Sequence, residues 1–308
     1  PPRSTLFPYT TLFRSPRENP WLEHVETQDS AFPYHDWNER ITAECYAPNA
    51  NCRILDVGGK IIQIVNNYSR ISFNFGPTLL SWIRQKHPDL YFAIQEADRM
   101  GMKRFNGHGC ALAQVYNHII MPLANRRDKE TQVVWGIQDF IHHFGRNPEG
   151  MWLAQMAVDI ETLELLAEHG IRFTILSPGQ ARRTRKIGEE NWTNVEGEKI
   201  DPHMPYRCSL PSGRKIVLFF YDGLVAREMN AGLLSNGERL AKRLCSTFSD
   251  TSQPQLAHVA MDGETYGYHH RLADMTLAYC LYYLESQRLA TPTVYGEYLE
   301  KYPPVCEV

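Results

Sequence analysis

Short β-branched or aromatic runs alternate along the chain with longer stretches whose apolar residues recur every three or four positions. Residues 61–65 (Ile-Ile-Gln-Ile-Val) read as a strand, with Gly58 and Gly59 before it as a hairpin turn. A second apolar run covers 71–75 and is ended by Gly76 and Pro77; helical spacing then predicts helices over 78–86 and 89–100. Asp128 is placed to cap a helix running to Phe144, with Val133, Val134, Ile137, Phe140 and Ile141 on one face and Gly145 as its terminator. Asp159 reads as the N-cap of a helix carrying Leu163 and Leu166 and stopped by Gly170, and 171–176 come next as a buried strand.

Two stretches break this rhythm. Residues 31–53 are polar and aromatic with little periodicity and are expected to form a loop-rich excursion, with Asp36 and Glu39 as surface acids. Residues 179–213 open on a basic run (Arg182, Arg183, Arg185, Lys186) and continue with Gly- and Pro-punctuated polar sequence, so a solvated insertion is expected there. The pattern resumes with a strand over 215–220, a helix over about 238–248, a strand over 256–260 and a last clear helix over about 272–286. Helix, glycine and buried strand in this order mark a parallel α/β fold. In such barrels catalytic side chains stand where strands end, and polar clusters fall there around Gln155, at Asp222, and at Asp262 with Glu264.

Composition narrows the function classes. The 308 residues are 43% hydrophobic and 22% charged with a net charge of −3, values of an ordinary globular protein with no electrostatic pull toward nucleic acid or an anionic membrane. No apolar run is long enough to span a bilayer. Seven scattered cysteines without CxxC spacing suggest reduced, buried thiols and a cytoplasmic protein. No Gly-rich phosphate motif implies a cofactor. Sixteen Tyr and six Trp would suit a sugar-binding cleft, although aromatics fill cores as well.

Four segments carry a resemblance. Residues 113–123 hold His118 in a segment read as an apolar helix. Residues 150–159 contain Gly-Met-Trp-Leu-Ala-Gln; 219–223 read Phe-Phe-Tyr-Asp-Gly; and 262–267 read Asp-Gly-Glu-Thr-Tyr-Gly. In this order they resemble the second to fifth motifs of the family 57 glycoside hydrolases. The resemblance spans residues 16–308 and is nearest to a bacterial subgroup in which this domain precedes a further conserved region. It implies an incomplete (β/α)7-type barrel over 16–290, with 291–308 beginning that further region, and a retaining hydrolase or glucanotransferase acting on α-linked glucan or a related glycan. Such enzymes need two carboxyl groups, one attacking the anomeric carbon and one protonating the leaving oxygen. By the resemblance, Gln155 stands at the nucleophile and Asp222 at the general acid/base. His118, Trp152, Tyr221, Asp262, Glu264, Tyr266 and His269 would line the sugar subsites; no metal and no cofactor are implied, and the oligomeric state is left open.

Two departures qualify this. The family has Glu where this chain has Gln155, and a neutral amide cannot take the covalent step. Glu149, on the far side of the same segment, is not expected to replace it. Residues 1–15 look like the translation of an adapter oligonucleotide standing where the first motif, with its His and Gln, would be. Pro16 to Trp21 resemble the family's residues just downstream of that motif, so a fragment is expected. An impaired hydrolase is therefore weighed against an oligosaccharide-binding pseudoenzyme. A metal-dependent polysaccharide deacetylase ranks lower: His142-His143 and His269-His270 are adjacent pairs, which point to different faces, and no HxxxH occurs.

Overall fold

The computed structural model describes residues 18–19, 24–56 and 58–308. The adapter-like stretch and most of 16–21 lie outside the described residues. Residues 37–50 are helical rather than a loop: α1 (Trp37–Ile41) runs on through a wide π turn (Thr42–Tyr46) into a last turn (Ala47–Ala50). Asp36, far from being a surface acid, is buried and caps α1 by accepting from the amides of Asn38 and Glu39. The hairpin of β1 (Cys52–Leu55) and β2 (Ile61–Val65) forms as expected. α2 (Pro77–Lys86) and α3 (Pro88–Arg104) come next, each opened by a proline whose missing N–H costs nothing in a first helical turn.

The middle of the chain builds an arc of parallel segments. Phe73 bridges Ala111, and β3 (Ala113–Gln114) pairs with β4 (Met151–Trp152) in the register Ala113 to Met151 and Gln114 to Trp152. α4 (Arg126–Phe144) connects them; its cap is Asn125, whose side chain accepts from the Asp128 amide, so the helix begins earlier than Asp128 suggested. After α5 (Ile160–Glu168), β5 (Phe173–Leu176) lies beside Gly150, where a Cβ would stand 2.2 Å from the Phe173 ring. Only glycine permits that approach.

The supposed insertion is part of the main sheet. β6 (Arg183–Lys186), β7 (Thr193–Asn194) and β8 (Tyr206–Ser209) join β5, β9 (Lys215–Phe220) and β10 (Cys306–Glu307) in a six-stranded sheet of order β5-β9-β8-β10-β6-β7. The basic run is not free charge. Arg185 meets Glu307 at 2.7 Å, and the guanidinium groups of Arg183 and Arg185 lie 4.6 and 4.4 Å from the Trp192 ring centre. Three more helices pack on one another, with the last also against the β1–β2 hairpin: α6 (Gly223–Asn230), which periodicity did not single out, α7 (Gly237–Cys245) and α8 (Ala273–Ser286). Residues 256–260, expected as a strand, form no named strand; the Asp222 amide donates to the His258 carbonyl at 3.0 Å and so ties them beside the end of β9.

Along β9, Ile216, Leu218 and Phe220 turn to one core, while Val217 and Phe219 turn inward to another with Leu112, Phe173, Ile175 and Leu256. That inner core is filled by α9 (Tyr295–Lys301), whose Tyr295, Tyr298 and Leu299 enter it. Tyr295 donates to or accepts from His258 Nδ1 at 2.9 Å and packs on Phe219 with ring centres 4.8 Å apart. At the foot of the arc His108 bridges Glu149 (2.9 Å) and Glu300 of α9 (2.8 Å). Among the described residues no strand joins 71–75 to 256–260, so the arc stays open on that side.

One buried ion pair fastens the arc to its helices. Asp98 of α3 receives Nε and Nη2 of Arg146 at 2.8 Å each and the Ala111 amide at 2.7 Å, with its side chain only 2% exposed. Replacing Arg146 by Met leaves this carboxylate buried without its partner, and is expected to cost about 3–5 kcal/mol in chemical denaturation. A change below about 1 kcal/mol would mean that the pair adds nothing net.

Candidate active site

A cavity of about 790 Å³ lies where the arc is open, walled on one side by 70–79 and on the other by 254–264. Its floor takes in Gln114, Trp152 and Ile175, and α9 contributes Tyr295, Tyr298 and Lys301. Five of the residues singled out from the sequence line it: His118, Trp152, Asp262, Glu264 and Tyr266. Gln155, Tyr221, Asp222 and His269 are outside its lining.

The segment 262–267 is set by its fit against the helical stretch 37–50. The Asn49 side-chain amide donates to the Tyr266 carbonyl at 3.1 Å, the Cys45 thiol to the Glu264 carbonyl at 3.7 Å, and the Tyr268 amide donates to the Cys45 sulfur at 3.0 Å. Gly267 has φ +152°, and a Cβ there would stand 1.9 Å from the Glu44 carbonyl oxygen, so no other residue lets the two segments meet. Cys45 and Cys52 are both free and buried, each against a different partner.

Burial and the neighbouring charge of Glu264 push the Asp262 carboxyl up to about 7, so it keeps its proton near neutrality. Burial moves the His118 imidazole the other way, down to about 4, which leaves a neutral ring facing the cavity. The Tyr266 hydroxyl is pushed up by burial too and stays a donor.

His118 is not helical. It sits past the end of β3 in a turn with φ +54°, its amide donating to Val115 O at 3.4 Å. Gln155 has φ +58° and Met156 φ +53°, in a single 3-10 turn (Ala154–Met156) after β4. Non-glycine residues in this region cost roughly 1–3 kcal/mol each and collect at functional sites. Two of the predicted site positions thus carry strained backbone at neighbouring strand ends.

Asp222 is committed to a helix end. It is the N-cap of α6, with Oδ1 accepting from the Val225 amide at 2.9 Å. Tyr221 is half-buried against the inner core, and His269 packs on Tyr268 with ring centres 5.1 Å apart.

Sequence reasoning passed over Asn74, Gln114, Tyr116 and His258, all of which line the cavity. The Asn74 amide donates to Gln114 Oε1 at 2.7 Å, and desolvation lowers the His258 imidazole to about 4 and keeps it neutral. A signal was present: Gln114 and Tyr116 lie in the same segment, 113–123, as His118.

The sequence profile described as Glycosyl hydrolase family 57 matches residues 12–302, nearly the whole chain. The chain belongs to that family. Among solved structures, the α-amylase AmyC of Thermotoga maritima superposes with a TM-score of 0.63 at 10% identity, covering 94% of this chain and 73% of that one. The 4-α-glucanotransferase of Thermococcus litoralis superposes with a TM-score of 0.58 at 18% identity, covering 77% of this chain and 35% of that one. In sequence, Alpha-amylase 1 of Dictyoglomus thermophilum is 26% identical over 106 residues, which are 34% of this chain and 15% of the amylase. The chain thus spans well under two thirds of the length of the glucanotransferase and of that amylase. These likenesses place the family 57 fold on an open α/β arc of small sheets, in agreement with the incomplete barrel expected from the sequence.

Proposed function

We propose that this chain carries the glycan-binding cleft of a retaining glycoside hydrolase or glucanotransferase of family 57, acting on α-linked glucan, and that Gln155 disables its covalent step. The observation that carries this reading is the half-buried Asp262 carboxyl, which lines a cleft with His118, Trp152 and Glu264 and is raised to about 7 by desolvation and the charge of Glu264. A protonated acid at neutral pH is what departure of a glycosidic oxygen requires. The proton-donor role therefore passes from Asp222, which the sequence pattern favoured, to Asp262. The carboxylate of Asp222 instead caps α6.

In the family's double displacement a carboxylate at position 155 attacks the anomeric carbon as the glycosidic bond breaks, and the leaving oxygen takes the Asp262 proton. Asp262, now ionised, then removes a proton from water or a sugar hydroxyl, which displaces the carboxylate. Neutral His118 and Glu264 would orient ring hydroxyls, and Trp152 would give a flat apolar wall. With an amide at 155 the first bond cannot form. Binding without turnover is then expected, and Gln155 is also what favours the second reading, an oligosaccharide-binding pseudoenzyme. The free cysteines fit a reducing, cytoplasmic setting, and among the described residues no helix is long and apolar enough to cross a membrane.

Calorimetric titration with maltoheptaose tests the cleft. Saturable binding that weakens about tenfold or more in His118→Ala is expected. No binding by the folded parent chain would overturn the reading.

A further inference from the structure

Trp135 is half exposed (52%) on α4, an unusual setting for a tryptophan with no role in the core. Its ring meets Tyr116 edge to face, with centres 5.5 Å apart and planes at 87°. Tyr116 belongs to the cavity wall, on the segment that leads from β3 to His118. That segment is pinned to α4 beneath Trp135: the Tyr116 amide donates to Gln132 O at 3.2 Å and the Asn117 amide to Gln132 Oε1 at 2.6 Å.

α2 and α4 each come after a segment of the parallel arc. Arg84 of α2 and His142 of α4 are hydrogen-bonded at 3.0 Å. Two turns earlier on each helix stand Pro77 and Trp135, on the same faces. Pro77 and its neighbour Thr78 line the cavity. Trp135 thus stands on α4 directly behind Tyr116, a residue of the cavity wall that Gly76, Pro77 and Thr78 also line.

We propose that Trp135, backed by Tyr116, is an outlying sugar platform that takes a glucosyl unit of an α-glucan chain several residues away from the bond at Asp262. This rests on the functional reading above. An exposed aromatic ring presents a flat apolar surface, which matches the C–H face of a pyranose, and the edge-to-face contact with Tyr116 holds it in place before ligand arrives. Chains too short to reach from the cleft to α4 do not feel it.

Titration of the full chain with maltoheptaose and with maltose separates the outcomes. Trp135→Ala is expected to weaken maltoheptaose binding about tenfold and to leave maltose binding unchanged, the size of one lost aromatic contact. Trp135→Phe, which keeps a ring, should recover most of the loss. Equal weakening for both sugars, or no change for either, overturns the platform while leaving the cleft assignment standing. Failure of the parent chain to bind either sugar overturns both. A thermal melt matching that of the parent shows that the variant is folded.

Discussion

Gln155→Glu is expected to raise the release of reducing sugar from α-1,4-linked glucose oligomers by about three to five orders of magnitude, the usual size of an effect at a covalent nucleophile. The amide and the carboxylate have the same shape, so the strained turn at 154–156 accommodates either, and the fold should not change. What changes is that an anion stands opposite the developing positive charge of the sugar and can bond to it. Binding of maltoheptaose is expected to alter by less than tenfold, because the gain lies in the transition state. Equal rates for the two forms would remove position 155 from the chemistry. Absence of turnover in both, with binding retained, would favour the pseudoenzyme.

The second large effect concerns the proton donor. In the Gln155→Glu form, Asp262→Asn is expected to lower kcat by about a thousandfold, whereas Asp222→Asn should cost less than tenfold and act mainly on stability through the N-terminus of α6. The pH profile gives an independent readout. Asp262 must be protonated to donate, and its carboxyl lies near 7, so kcat should be full on the acid side and fall as pH rises through about 7. That limb should vanish in Asp262→Asn. Should Asp222→Asn abolish turnover while Asp262→Asn leaves it intact, the two roles are exchanged.

Much of the arc was legible because its elements carry strong local patterns. Residues 171–176 and 215–220 are dense apolar runs, and α4 and α5 have both an apolar face and a clear terminus. The helical stretch 37–50 escaped because its apolar anchors Ile41, Cys45, Tyr46 and Ala50 straddle a π turn, which shifts the helical period. β6, β7 and β10 are two to four residues long and owe their existence to partners far away in sequence. The capping role of Asp222 was hidden for a different reason. An acid after a strand fits a catalytic position and an N-cap equally well, and the helix-forming run Val225-Ala226-Arg227-Glu228-Met229 was the cue that favoured the cap. Asp262 could not be distinguished from its neighbours without knowing that it lines the cavity beside Glu264.

The seating of α9 inside the arc bears on how the chain is made. Phe173 and Phe219 find their packing partner in Tyr295, and the carboxylate of Glu307 accepts from Arg185 and Arg207 at 2.7 Å each. During synthesis, therefore, the strands of the arc leave the ribosome well before the plug that completes their inner face. Until residues 295–307 arrive, β5 and β9 present aromatic surface with nothing to cover it, the kind of intermediate that chaperones bind and that aggregates when they do not. The delay between β9 and residues 295–307 would then bear on the yield of folded protein.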